Sequence, residues 1–225
     1  FSIITYDGDI HGFQGVLDGQ GHTIYNLNNT IFDYIDKAEI KNIIFKNINI
    51  VSTDNYIGVI AKESTSSRNV KIKKVGITGN IEGKSYVGSF IGRSSPMIRD
   101  EILYDKCYAK VKITSTGNCI GGFTGSCGTV STTTKINESY NIVEINKTKY
   151  VGSFIGTSKA NNQDTDGRNL TNSFYNKDVF TLSVPEKGSG IGLTTEEMKQ
   201  QSSYTGWDFT NDWYMGPDGY PELKF

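Results

Sequence analysis

The sequence predicts an all-β solenoid built from repeats of about 32 residues, on three observations. The heptapeptide Tyr86-Val87-Gly88-Ser89-Phe90-Ile91-Gly92 returns letter for letter as Tyr150-Val151-Gly152-Ser153-Phe154-Ile155-Gly156. Weaker copies, Tyr56-Ile57-Gly58-Val59-Ile60-Ala61 and Cys119-Ile120-Gly121-Gly122-Phe123-Thr124-Gly125, share its grid, so Gly58, Gly88, Gly121 and Gly152 step by 30, 33 and 31 residues. A second ladder begins at Ile40, Ile72, Tyr104, Ile136 and Leu170, with steps of 32, 32, 32 and 34. Finally, 25 Gly, 13 Tyr and 11 Phe against only 4 Pro suit short strands and tight turns better than a helical bundle.

The chain reads as a single β-solenoid domain over residues 1–225. Residues 1–39 form an N-terminal opening unit, in which Phe13 to Ile24 alternates apolar and turn-forming residues and Gly19 and Gly21 supply tight turns. This part carries no Tyr-Val-Gly copy, as expected of an atypical terminal repeat. Residues 40–169 hold four repeats. In each, a short apolar strand leads into an alternating one such as Val111-Lys112-Ile113 or Val143-Glu144-Ile145, which turns one face inward. A polar turn follows, then the Tyr-Val-Gly strand. There the alternation places Val87, Ser89 and Ile91 on one face and Tyr86, Gly88, Phe90 and Gly92 on the other. The recurring Gly58, Gly88, Gly92, Gly121, Gly152 and Gly156 indicate a corner or a close backbone approach between coils. Each repeat ends in a Ser-, Thr-, Asn- and Gly-rich variable stretch, where contact with a partner is expected.

Residues 170–225 carry the last strands and a C-terminal cap. A short helix is predicted over residues 194–202, with Thr194 and Glu197 in capping-box spacing. Beyond it lie Tyr204, Trp207, Phe209, Trp213, Tyr214, Tyr220, Pro221 and Leu223, an aromatic cap expected to close the last coil. The sharper alternative for the same residues is a carbohydrate-binding platform.

A formal charge of −1 argues against nucleic acid as partner. No apolar run approaches the roughly 20 residues that insert in a membrane. The chain opens at Phe1 without Met and reads as a piece of a longer one, which leaves room for a signal sequence upstream. Cys107, Cys119 and Cys127 make no CxxC pair and read as small buried residues, although an oxidising compartment would allow a Cys119–Cys127 bridge.

The Tyr-Val-Gly-Ser-Phe-Ile-Gly repeats resemble the GLUG motif of bacterial surface and secreted proteins. The Phe13-to-Ile24 lead-in, Trp207-Asp208-Phe209, Trp213 and Tyr220-Pro221-Glu222-Leu223 are similar to the segments that flank such repeats. The resemblance implies a right-handed parallel β-helix-like solenoid, extracellular, on the surface of a bacterium or secreted. Families with this region include adhesins and the M26 zinc metallopeptidases that cleave immunoglobulin A, where the repeats lie outside the catalytic domain.

A zinc peptidase needs two histidines one helical turn apart with a glutamate between them. Here His11 and His22 are the only histidines, so HExxH is absent, and no nucleophile elbow accompanies them. The acidic pairs Asp33/Asp36, Asp100/Glu101 and Asp164/Asp166 are candidates for a glycosidase-like dyad, but none recurs from coil to coil. Asn162, Asp164 and Asp166 before Gly167 resemble the start of a calcium loop, though the twelfth position is Ser173. No catalytic or cofactor-binding residue is expected, and calcium at Asn162, Asp164 and Asp166 is the one metal candidate. The resulting expectation is a non-catalytic module, either a ligand-presenting adhesive surface for a host protein or glycan or a rigid spacer. The alternatives are an accessory substrate-positioning domain of an immunoglobulin A-cleaving metallopeptidase, joined to further domains of the same parent chain, and a carbohydrate-active β-helix enzyme.

Overall fold

Two ladders of left-handed residues set the corners of the coils. Asn42, Lys74, Lys106, Glu138 and Asn172 have φ between 42° and 54°, and Tyr56, Tyr86, Cys119 and Tyr150 have φ between 56° and 64°. One such residue redirects a strand without ending its pairing to the next coil, but it costs an L-residue roughly 1–2 kcal/mol. The cost is borne because the flanking residues are locked into inter-coil ladders on both sides. In the computed structural model, which describes residues 12–64, 69–94, 101–126, 133–147, 149–157, 168–182 and 190–225, these corners divide a parallel β-solenoid of about four turns into three faces.

The first face stacks residues 39–41, 71–73, 103–105, 135–137 and 169–171 in parallel register. The second continues past the corner. Residues 43–45 pair with 75–77, 76–83 with 108–115, 108–113 with 140–145, and Phe174–Asn176 with Ile191–Leu193. The third face carries the Tyr-Val-Gly rows, where Ile57, Val87–Gly88, Ile120–Gly121 and Val151–Gly152 align. After a bend, Ala61, Ile91, Thr124 and Ile155 align in turn. Phe13–Tyr25 adds the first coil by pairing with Phe32–Val51.

On the third face the structure departs from simple alternation. The strand is only two residues long before it bends at Ser89-Phe90, so Val87, Ser89, Phe90 and Ile91 are all fully buried instead of dividing between two faces. Phe90, Phe123 and Phe154 thereby stack through the core with centroids 4.5 and 4.9 Å apart, and Tyr104 packs edge-on against the first two at 5.4 Å. The recurring glycines do not occupy the left-handed corners; the residue before each pair does. Their requirement is proximity. A Cβ on Gly58 would lie 2.5 Å from the Phe90 carbonyl oxygen, one on Gly88 2.5 Å from Thr124 Cα, and one on Gly92 2.5 Å from the Ile57 nitrogen. At Gly121, Gly152 and Gly156 it would lie closer still to backbone atoms.

Polar groups drawn inside by the corner are paired between coils. The Cys107 amide donates to Ser139 Oγ at 3.0 Å and the Ser139 amide to Ser173 Oγ at 3.3 Å. Cys107 is a buried thiol that donates to the Ile72 carbonyl, and burial pushes its pKa up. Cys119 is also buried as a thiol, and Cys127 lies outside the described residues.

The helix is shorter than the sequence suggests, spanning Thr195–Met198 before a 3-10 turn at Gln201–Ser203. Its capping box forms as the Thr194/Glu197 spacing implies. It tightens at Lys199 and Gln200, whose amides bond the Glu196 and Glu197 carbonyls three residues back, and the Tyr204 hydroxyl satisfies the Met198 carbonyl at 2.6 Å. From there residues 199–225, closed by the antiparallel hairpin Trp213–Met215/Pro221–Leu223, run as a strap along the outside of the second face.

Candidate functional site

The strap exists because the second face has an apolar outer side. Tyr108, Tyr140 and Phe174 recur at one outward register, and Met198, Tyr204, Trp207, Trp213 and Leu223 bury them. Trp213 is completely buried, stacks on Trp207 at 4.3 Å and lies 6.2 Å from Tyr140, whose hydroxyl donates to the Pro221 carbonyl at 2.7 Å. Gly76 makes room for the Tyr108 ring; a Cβ there would lie 2.7 Å from its hydroxyl oxygen and nearer its ring carbons. The aromatic cap therefore lies along the side of the stack, where it touches coils from Gly21, under Phe225, to Asn172, whose carbonyl accepts from Trp207 Nε1 at 2.8 Å. With both tryptophans buried, they form no exposed sugar platform.

Ionic contacts fix the strap's register. Asp212 meets Lys74 at 2.7 Å and Lys106 at 2.8 Å, two lysines at the same corner of successive coils. Lys74 also donates to the Lys224 carbonyl, and Lys110 pairs with Asp218 at 2.8 Å. Burial by itself would raise the Asp212 carboxyl, but its bonds to Lys106 and Lys74 outweigh that and hold it below the ordinary value. Burial raises the neighbouring Asp105 and Glu138 carboxyls.

Where the hairpin lifts off the face, a cleft of about 500 Å³ opens, within the roughly 300–1,000 Å³ of small-ligand sites. Ile44, Tyr108 and Leu223 line its base, Thr23, Tyr25, Lys46, Thr78 and Lys110 contribute from four coils, and Tyr214, Asp218, Glu222 and Phe225 come from the strap. Tyr25, Tyr214 and Phe225 are 58%, 40% and 54% exposed. The Tyr214 hydroxyl donates to Glu222 at 2.7 Å, which pushes its pKa up to about 12. Lys110 holds the Asp218 carboxyl below its usual range against the effect of burial. Sequence reasoning missed this cleft, because its residues come from five separate stretches. Only the outward tyrosines of the second ladder signalled it.

The singled-out acidic residues that lie among the described ones are each engaged in a separate contact. Asp33 pairs with Lys62 at 2.7 Å, Asp36 accepts from Gln14 at 2.9 Å, and Glu101 pairs with Lys135 at 2.7 Å. His22 lies exposed on the first coil. His11, Asp100 and the calcium-loop candidates Asn162, Asp164 and Asp166 lie outside the described residues. Among the described residues no group of three or more His, Cys, Asp or Glu side chains could hold a metal, and no helix is long and apolar enough to cross a membrane.

The fold defines a β-solenoid module with a strapped flank. Comparison with known proteins places its resemblance more narrowly. Residues 5–79 match the family described as M26 IgA1-specific metallo-endopeptidase N-terminal region. An immunoglobulin A1 protease of Streptococcus pneumoniae serotype 4 is 25% identical over 178 residues, 64% of this chain and 9% of that protein. An immunoglobulin A1 protease of Streptococcus sanguinis is 30% identical over 80 residues, 36% of this chain and 4% of that protein. A crystal structure of a Bacteroides ovatus protein provisionally named an immunoglobulin A1 protease superposes with a TM-score of 0.66 at 18% identity. The match covers 92% of this chain and 76% of that one, and it supports the solenoid fold. The chain thus spans less than a tenth of the streptococcal proteases it matches.

Proposed function

We propose that this chain is a non-catalytic, extracellular module of a larger bacterial protein of the immunoglobulin A1 protease kind, holding the target for a catalytic domain elsewhere in the parent. The observation that supports it most is the match of residues 5–79 to the N-terminal region of such peptidases, in a chain whose two histidines cannot make HExxH. A stack of coils locked by inter-coil ladders and a lateral strap is stiff, which suits a part that must hold a macromolecule at a fixed distance from a cleavage site.

The test is a parent protein with residues 1–225 deleted. Cleavage of intact immunoglobulin A1 is expected to lose kcat/KM chiefly through a higher KM, while cleavage of a short peptide substrate is unchanged. Unchanged kinetics on both substrates would remove the positioning role. A second reading, an adhesin or spacer in a parent without a zinc domain, is favoured by the open cleft beside the strap, and an HExxH-free parent gene would select it.

A further inference from the structure

We infer that the cleft between the strap and the second face binds a neutral, extended, β-linked oligosaccharide lying along the solenoid axis. This goes beyond the accessory role and does not depend on it. Tyr25 pairs in register with Lys46, and Thr78 with Lys110. The Asn47 amide, next to Lys46, bonds Thr78 Oγ at 3.2 Å, which joins the two pairs into one row. Tyr25, Lys46, Thr78 and Lys110 thus present one side chain per coil at the roughly 4.8 Å coil spacing. That spacing is close to the advance of one pyranose in an extended β-linked chain, so successive sugars would meet successive coils, with an offset between Lys46 and Thr78 where the ladder shifts register between Phe45 and Ile48.

The chemistry of the row and its facing wall suits sugars. A pyranose offers an apolar C–H face and a rim of hydroxyls. Tyr25, Tyr214 and Phe225 supply exposed ring faces, and Lys46, Thr78 and Glu222 supply donors and acceptors between them. The local charge is balanced: Lys110 and Asp218 neutralise each other, and the Lys46 ammonium, with no ion-pair partner among the described residues, shares the cleft lining with the Glu222 carboxylate. A polyanion would gain nothing from such a field. A peptide adding as a strand is disfavoured for a different reason. Most of the backbone under the cleft is spent in the parallel ladders of residues 43–45, 75–83 and 108–115; among the described residues only the outer side of Phe13–Tyr25, at one end of the cleft, has no partner strand, so an added strand would not run across the floor.

The experiment is saturation-transfer NMR and isothermal titration calorimetry of the 225-residue chain with cellotetraose, chitotetraose and β-1,4-mannotetraose. Maltotetraose, a heparin tetrasaccharide and a proline-rich peptide serve as comparisons. At least one β-linked tetrasaccharide is expected to bind. Tyr25→Ala and Tyr214→Ala should each weaken it about tenfold or more at an unchanged melting temperature, while Val51→Ala, an exposed change outside the cleft, leaves it intact. Binding of none of the three, binding of only the comparison ligands, or wild-type affinity in both tyrosine variants overturns the assignment. Each of these outcomes is independent of how the deleted parent cleaves immunoglobulin.

Discussion

Asp212 and Lys106 meet at 2.8 Å across the boundary between strap and solenoid, and the other oxygen of the same carboxylate meets Lys74 one coil away at 2.7 Å. One acidic side chain therefore bridges two coils from outside, using lysines whose left-handed backbone puts them at equivalent corners. The Asp212 side chain is only 15% exposed, so these charge-assisted bonds are worth more than a surface pair. Asp212→Asn is expected to cost about 1–3 kcal/mol, which lowers the melting temperature by roughly 2–4 °C per kcal/mol in a chain of this size. Calorimetry checks it, and an unchanged melting temperature would show that the pair adds nothing.

The same cluster sets a pH dependence with two signs. Asp212 is depressed in the fold, so its contribution is complete above the ordinary aspartate value of 3.8 and is lost as pH falls through its lower folded value. Asp105 and Glu138 are raised by burial, so the fold binds their protons more readily and gains slightly as pH falls towards 4.5 and 3.8. Stability is therefore expected to peak at weakly acidic pH and to fall below about 3.8, with the acid-side loss reduced in Asp212→Asn. On the alkaline side Lys106 is raised above 10.5 despite the opposing effect of burial, because Asp212 bonds it, so its share is lost only above that value. Both tryptophans lie in the strap, so their fluorescence reads its release separately from the far-ultraviolet signal of the strands.

The period was legible in the sequence because each coil repeats the same local demands. The second ladder predicts coil starts at Ile40, Ile72, Tyr104 and Ile136, and these are the rows that pair on the first face. The bend at Ser89-Phe90 was not legible, since a two-residue strand has too little pattern to show which side each residue takes. The strap's course was hidden for a different reason. Lys74 meets Lys224, Lys110 meets Asp218 and Tyr140 meets Pro221 across separations of 150, 108 and 81 residues, and contacts that distant leave no local periodicity. The cleft, formed only where strap and coils meet, was hidden with it apart from the outward tyrosines that underlie the strap.

Gly88→Val tests why the repeated glycine is there. Its Cβ would stand 2.5 Å from Thr124 Cα and 2.6 Å from the Ile91 and Phe123 carbonyl oxygens, all backbone atoms fixed by inter-coil bonds. A clash with backbone cannot be relieved by a rotamer change, so the loss should reach the upper end of the overpacking range, about 3 kcal/mol or more. Gly152→Val should behave alike, because its Cβ would crowd the Ile155 carbonyl. Val51→Ala, at a position 64% exposed, should stay within about 0.5 kcal/mol. Urea titrations measure all three, and a Gly88→Val midpoint equal to wild type would refute the close-approach account.

Phe123→Ala probes whether the coils unfold together. The ring is fully buried between Phe90 and Phe154, so its removal should cost about 3–5 kcal/mol. In a one-dimensional stack such a defect could split the transition at the damaged row. The strap argues against that here, because it grips Lys74 on one side of the row and Asn172 on the other, joining coils that share no direct ladder. Phe123→Ala alone is therefore expected to shift the strand signal and the tryptophan signal to the same lower urea midpoint. Adding Asp212→Asn weakens the lateral tie at Lys74 and Lys106, and the two midpoints should then begin to separate. Separation in the single variant would mean that the strap is only an ornament on a stack whose cohesion is local.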